Sequence, residues 1–430
     1  MRLCVCCSCL VLALILSGPA GAQKLDLRGD RFPGLTYEEM TPEQKAITDR
    51  ALAGRGPIGT FNILLRSPEL SESMRGTAGP RANSAISAKQ SELAILMNAR
   101  LWTTQFEWYV HHRAAVQVGL DETKITALIE GRRPENMLPD EGVVYNFLQQ
   151  LQTAKRVSDA AFEAAREKLT EKGIVDLIGV VGFYGVTSML MNADRYPMPP
   201  GQKPELMPLA QPLPLPSTPV EESEPAPVRV VQVRQGLELR GGRFAPLTYE
   251  EMNPAQKAFT DRAMSGKIEG GAGAPFNVLL RSPELGEPVM RYGAHVRFHS
   301  PVPDKLKELA ILITARYWGA QFQWQAHHRA GAQAGLSEAV IVAIGDGKKP
   351  TGLPPDEQIV YNFATELFRT TQIGDATFNA AKQRLGERGL VELMGLIGYY
   401  QIISMIADID RYPLPNGARP ELRPMANPIP

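Results

Sequence analysis

"ELAILMNARLWTTQFEWYVHHRAA", residues 92–115, returns 216 residues later as "ELAILITARYWGAQFQWQAHHRAG", residues 308–331, with 15 of 24 positions identical. The chain holds 6 histidines, and 4 of them stand in these two adjacent pairs. Working outward, the duplication extends in both directions. "LTYEEMTPEQKAITDRA" from Leu35 matches "LTYEEMNPAQKAFTDRA" from Leu247, and "FNILLRSPEL" from Phe61 matches "FNVLLRSPEL" from Phe276. "ADRYPMPPG" from Ala193 closes the first copy and "DIDRYPLPNG" from Asp408 the second. Units of roughly 170 residues are far longer than solenoid repeats, so each is read as a whole domain.

The divisions expected are a signal peptide at 1–22, a first domain at 23–196, a proline-rich linker at 197–235, a second domain at 236–415 and a proline-rich tail at 416–430. Pro197 to Pro227 contains 11 prolines and reads as an extended, semi-rigid spacer. The N-terminus has Arg2, an apolar run from Leu3 to Leu16 and the small-residue site Ala20-Gly21-Ala22. That pattern predicts export, to periplasm or medium, with cleavage after Ala22. The run is short for a membrane span of about 20 residues, so no membrane attachment is expected after cleavage. All four cysteines fall at positions 4–9, which leaves the mature chain without thiols. Lys+Arg and Asp+Glu cancel at 46 each, which argues against a nucleic-acid partner.

The periodicity predicts an all-α fold. Apolar residues at Leu93, Ile95, Leu96 and Ala99 suit one helix, and Thr104 to Val118 a second. Asp121 is a candidate N-cap with Gly131 as stop. Pro139 with its acidic neighbours starts another helix, and Ser158 to Gly173 brackets the next. Ile174 to Ala193 and its copy from Leu390 to Ala407 read as long buried helices. Sustained strand signals are nearly absent.

On the His-His helix, Glu107 and His111 are four apart and are expected to meet, while His112 is rotated by about 100°. Trp108 can pack on His112, and an angled return of the preceding helix brings Glu92 toward His111. A Glu-His pair supports general acid–base chemistry, because a carboxylate orients the imidazole and stabilises its charged form. A pair that only ties two helices together, or a metal site built from Glu92, Glu107 and His111, uses the same residues. Gln323 in the second copy is a poor ligand and weakens the metal reading.

The pattern from Glu92 to Leu120 and from Glu308 to Leu336 resembles the carboxymuconolactone decarboxylase family, which includes alkylhydroperoxidase D. The resemblance runs from about Phe61 to Ala193 and from Phe276 to Ile409. It implies two tandem helical domains of the alkylhydroperoxidase D type. The peroxidase branch carries Glu, eleven residues, Cys, two residues, Cys, three residues, His. Here that frame holds Glu92, Thr104, Glu107 and His111, then Glu308, Ala320, Gln323 and His327. The absence of both thiols argues against peroxidase turnover. The resemblance then implies a cofactor-independent lyase or hydrolase acting on a small carboxylated or lactone compound. Glu92, His111, Glu308 and His327 would be catalytic. Arg100, Glu107, Trp108, His112, His299, Arg316, Trp324 and His328 are the candidate substrate-binding residues, and no metal or cofactor is expected.

Arg100 and Arg316 suit a bidentate carboxylate clamp or a salt bridge. His112 and His328 suit packing or backbone hydrogen bonds, and the tryptophans suit the core. The segment from Tyr292 to Lys305 is expected to border the second pocket, with His295 and His299 either facing it or solvated. Those histidines replace Gly79 and Asn83 of the first copy. A non-catalytic binding or scaffold protein is the alternative function. The resemblance also implies self-association, with the two domains docked as a pseudo-dimer and, as a further step, chains grouped in threes.

Overall fold

A computed structural model describes residues 27–53, 59–78, 84–209, 213, 228–273, 275–414, 418–425 and 428–429. The expected signal peptide lies outside them. Helix accounts for 62% of the structure and strand for 3%, so the fold is all-α.

The first repeat runs α1 (Pro42–Leu52), α2 (Phe61–Leu64), α3 (Pro68–Ser73), α4 (Ala88–Trp102), α5 (Gln105–Gln117), α6 (Glu122–Ile129), α7 (Pro139–Gln149) and α8 (Asp159–Asp194). A hairpin follows, β1 (Arg229–Arg234) and β2 (Leu237–Gly241). The second repeat then runs α9 (Pro254–Met264), α10 (Phe276–Leu279), α11 (Pro283–Ala294), α12 (Asp304–Trp318), α13 (Gln321–Gln333), α14 (Glu338–Gly345), α15 (Pro355–Thr370) and α16 (Asp375–Asp410). Local chemistry explains the boundaries. Ser87 caps α4 in a reciprocal box with Gln90, and Asp121 caps α6 by accepting from the Thr123 amide. α4 ends on Thr103, and α12 ends on Gly319, both left-handed.

Two expectations need correction. The hairpin falls in and beyond the stretch expected to be linker. Gly236 at φ 86° makes its turn, and Leu237 and Leu239 alternate into the core. The helix from Asp159 does not stop at Gly173. It breaks at Thr170 and continues to Asp194, and α16 breaks likewise at Gly386.

The apolar halves of α8 and α16 form the centre of the molecule. By length and hydropathy alone each would span a membrane, yet 94% of each apolar window is buried against protein. The two helices pack on each other closely. A Cβ added at Gly398 would lie 2.4 Å from Val186, and one at Gly182 would lie 2.6 Å from Ile402. Around them, contacts between repeats recur with the roles exchanged. Arg66 pairs with Glu387 at 3.1 Å, and Arg281 with Glu171 at 2.8 Å. Ser67 donates to Glu392 at 2.5 Å, and Ser282 to Asp176 at 2.6 Å. Phe32 meets Phe378 edge-on at 5.4 Å, and Phe244 meets Phe162 at the same distance.

Candidate active site

α4 and α5 are joined by a tight left-handed turn at Thr103, so α5 folds back along α4. The turn brings Glu92 and His111 together, and His111 Nδ1 lies 2.7 Å from Glu92 Oε2. α12, Gly319 and α13 repeat the arrangement, with His327 Nδ1 2.6 Å from Glu308 Oε2. A tyrosine from the long central helix closes each ring edge-on at 4.8 Å, Tyr184 on His111 and Tyr400 on His327. Both pairs are largely buried but reachable. The His and Glu side chains are 12% and 18% exposed in the first repeat, and 8% and 11% in the second.

The second site has a further member, from the segment expected to border this pocket. Arg297 Nη1 donates to Tyr400 Oη at 2.6 Å and approaches His327 Nε2 at 3.4 Å. A guanidinium cannot accept, so His327 Nε2 carries the lone pair and Nδ1–H points to Glu308. Burial holds His327 below the usual imidazole range. The Glu308 hydrogen bond opposes that shift, and the Arg297 charge adds to it. The result is a neutral imidazole with a buried carboxylate behind it and a cation in front. Among the described residues Arg297 has no carboxylate partner, and with Glu308 and Lys307 it lines a cavity of about 350 Å³. Arg81, which stands 216 residues earlier, lies outside the described residues, as do Gly79 and Asn83.

The other expected site residues go elsewhere. Glu107 does not meet His111. Its Oε1 accepts from Asn98 at 3.2 Å and from Ser188 at 3.1 Å, inside the core, so it cannot complete the metal set with Glu92. Among the described residues Arg100 and Arg316 pair with no carboxylate. Arg100 donates to the carbonyls of Ile129 and Met207, and Arg316 to those of Gly345 and Arg423. His112 does not bond backbone but lies between the carboxylates of Glu205 at 2.6 Å and Glu122 at 3.0 Å. His328 lies likewise between Glu421 at 2.9 Å and Glu338 at 3.0 Å. Trp108 and Trp324 are core residues, and their indole N–H groups donate to Glu205 and Glu421. His295 is not solvated: it is buried and donates to Glu392 at 2.8 Å. His299 is exposed and bonds Glu269. Both line a separate open groove of about 1100 Å³ between the repeats, whereas Arg297, Phe298 and Asp304 from the same segment do border the Glu308 cavity.

No family model, curated protein or solved structure matches the chain.

Proposed function

We propose that the second repeat is a cofactor-independent acid–base catalyst of the carboxymuconolactone decarboxylase type, acting on a small carboxylated or lactone compound as a lyase or hydrolase. The observation that carries this reading is the lone pair of His327 Nε2, oriented by Glu308 and facing Arg297, both of which line a cavity. His327 Nε2 takes a proton from the substrate or from an attacking water, and the imidazolium formed is stabilised by Glu308. The same nitrogen returns the proton to the carbon or oxygen that receives the electron pair. Arg297 and Tyr400 stand where negative charge on a substrate oxygen is stabilised. Because His327 titrates below the usual imidazole value, the basic form persists into mildly acid solution. Glu92 and His111 form a second, related pair.

The test is a turnover screen of small lactones and unsaturated or keto acids with the purified chain. His327→Gln is expected to lower kcat/KM by roughly 10²–10⁴-fold, the usual contribution of a positioned acid–base group. His111→Gln is expected to cost less on the same substrate. A chain that turns over no member of the panel, and whose His327→Gln variant differs only in stability, is instead a scaffold in which Glu-His pairs tie helices together.

A further inference from the structure

Each repeat holds a short extended strap on the face of α5 or α13 that carries Trp108 and His112, or Trp324 and His328. The straps read Pro204-Glu205-Leu206-Met207-Pro208 and Pro420-Glu421-Leu422-Arg423-Pro424, the same motif 216 residues apart. The grooves treat them alike. The glutamate accepts from the tryptophan indole at 3.0 Å in both, and from the second histidine of the pair. The leucine backbone is gripped at both ends by one glutamine amide. Gln105 accepts from Leu206 N at 3.1 Å and donates to Leu206 O at 2.5 Å, while Gln321 does the same to Leu422 at 3.0 and 2.6 Å. Arg100 and Arg316 each donate to the next carbonyl, that of Met207 or Arg423. The leucine side chains are buried, only 1% and 4% exposed, whereas the residue after each points to solvent. The flanking prolines hold the backbone extended in advance and have no amide that needs a partner, which lowers the ordering cost of docking.

These are the elements of linear-motif recognition: a charge reader, a backbone clamp, one apolar pocket and an unread position. The chain is pinned once more before each strap, Tyr196 edge-on to Phe106 at 4.7 Å and Tyr412 to Phe322 at 4.6 Å, and the Glu-Leu contacts supply the polar part of the matching set. We propose that this face of each repeat is a peptide-recognition groove specific for Pro-Glu-Leu-x-Pro, and that it accepts the motif from a second copy of the chain as well as from its own. Two grooves and two matching straps per chain make own and foreign straps chemically equivalent. Only the higher local concentration of the tethered strap favours the closed arrangement.

The test uses full-length variants. Glu421→Ala/Leu422→Ala empties the second groove, and Gln321→Ala/His328→Ala leaves a strap with nothing to hold it. A fluorescent peptide of residues 418–425 should bind the first variant saturably. Binding to the wild-type chain should be at least about tenfold weaker, because its groove is filled. Replacing the peptide's glutamate by glutamine should weaken binding to the empty groove by roughly three- to fivefold, since a partly solvated charge-assisted pair is lost. Mixing the two variants should give a one-to-one complex by sedimentation. No peptide binding, or equal binding of the glutamine peptide, overturns the groove. Peptide binding with two variants that stay apart overturns exchange between copies.

Discussion

The two repeats place a glutamate and a glutamine at one buried position. Glu107 in α5 and Gln323 in α13 stand the same distance before their histidines, and each accepts a hydroxyl bond through Oε1, from Ser188 and Ser404 respectively. Among the described residues no cation is paired with either, and the second oxygen of Glu107 and the nitrogen of Gln323 have no hydrogen-bond partner. Burial pushes the Glu107 carboxyl up to about 8 against the weaker pull of Asn98 and Ser188. A neutral amide fits the second repeat, which indicates that the first carries its acid protonated. The lesson is that this position needs shape and one acceptor, not charge, so the repeats differ here in their response to pH rather than in architecture.

Glu107→Gln sharpens that comparison most. The folded state keeps a proton on Glu107 between about pH 4.5 and 8 while the unfolded chain has lost it, so this group lowers stability progressively as pH rises through that window. The variant escapes that loss. Its stability relative to wild type should rise from pH 4.5 and level off above 8, a gain on the order of a few kcal/mol. Denaturant midpoints across pH measure it. A flat difference would show that Glu107 is charged in the fold.

The break in the long helices gives the second comparison. Thr170 has φ 66° and ψ 170°, and Gly386 has φ 70° and ψ 173°. That region is essentially reserved for glycine, and a side chain held there costs about 1–3 kcal/mol. Thr170→Gly should stabilise the chain by an amount within that range, and Gly386→Thr should destabilise it similarly. Urea unfolding of both variants checks the pair, and opposite signs are required.

The smallest expected effect lies at the straps. Burial lowers the ionisation of His112, but Glu122 and Glu205 more than offset it, and Glu338 and Glu421 do the same for His328. Both are therefore raised in the folded state. Their contribution is full below about 6.5 and fades as pH climbs through the raised value. These pairs are partly solvated, so each is worth at most about 1 kcal/mol. Proteolysis within 418–425 should quicken modestly from pH 6 to 9 in wild type, and His328→Gln should flatten that trend.

What was legible in the sequence was local and periodic. Glu92 and His111 met because two successive helices, the second expected from Thr104, were readable and an angled return between them brings the two residues together. What was not legible depended on chain segments far apart. Arg297 lies 30 residues from His327, and although Arg81 stands at the matching position of the first repeat, nothing in the spacing says that this arginine reaches the imidazole. Pro-Glu-Leu-x-Pro did recur, but proline density suggested a spacer, and the docking partners of Glu205 lie 93 and 97 residues away. The hairpin carried its own signal, alternation around Gln235-Gly236, masked by the same prolines. Arg100 and Arg316 were misassigned because an arginine buried against carbonyls has no pattern of its own.

The exchanged contacts between repeats have a consequence for synthesis. Ser67 finds Glu392 across 325 residues, and Arg31 finds Asp375 across 344. At roughly 5–20 residues per second, about 16–65 s separate the emergence of Ser67 from that of its partner. During that interval the first repeat must wait with its docking face uncovered. The yield of folded chain therefore depends on how long that face stays uncovered during synthesis as well as on the contacts in the finished molecule.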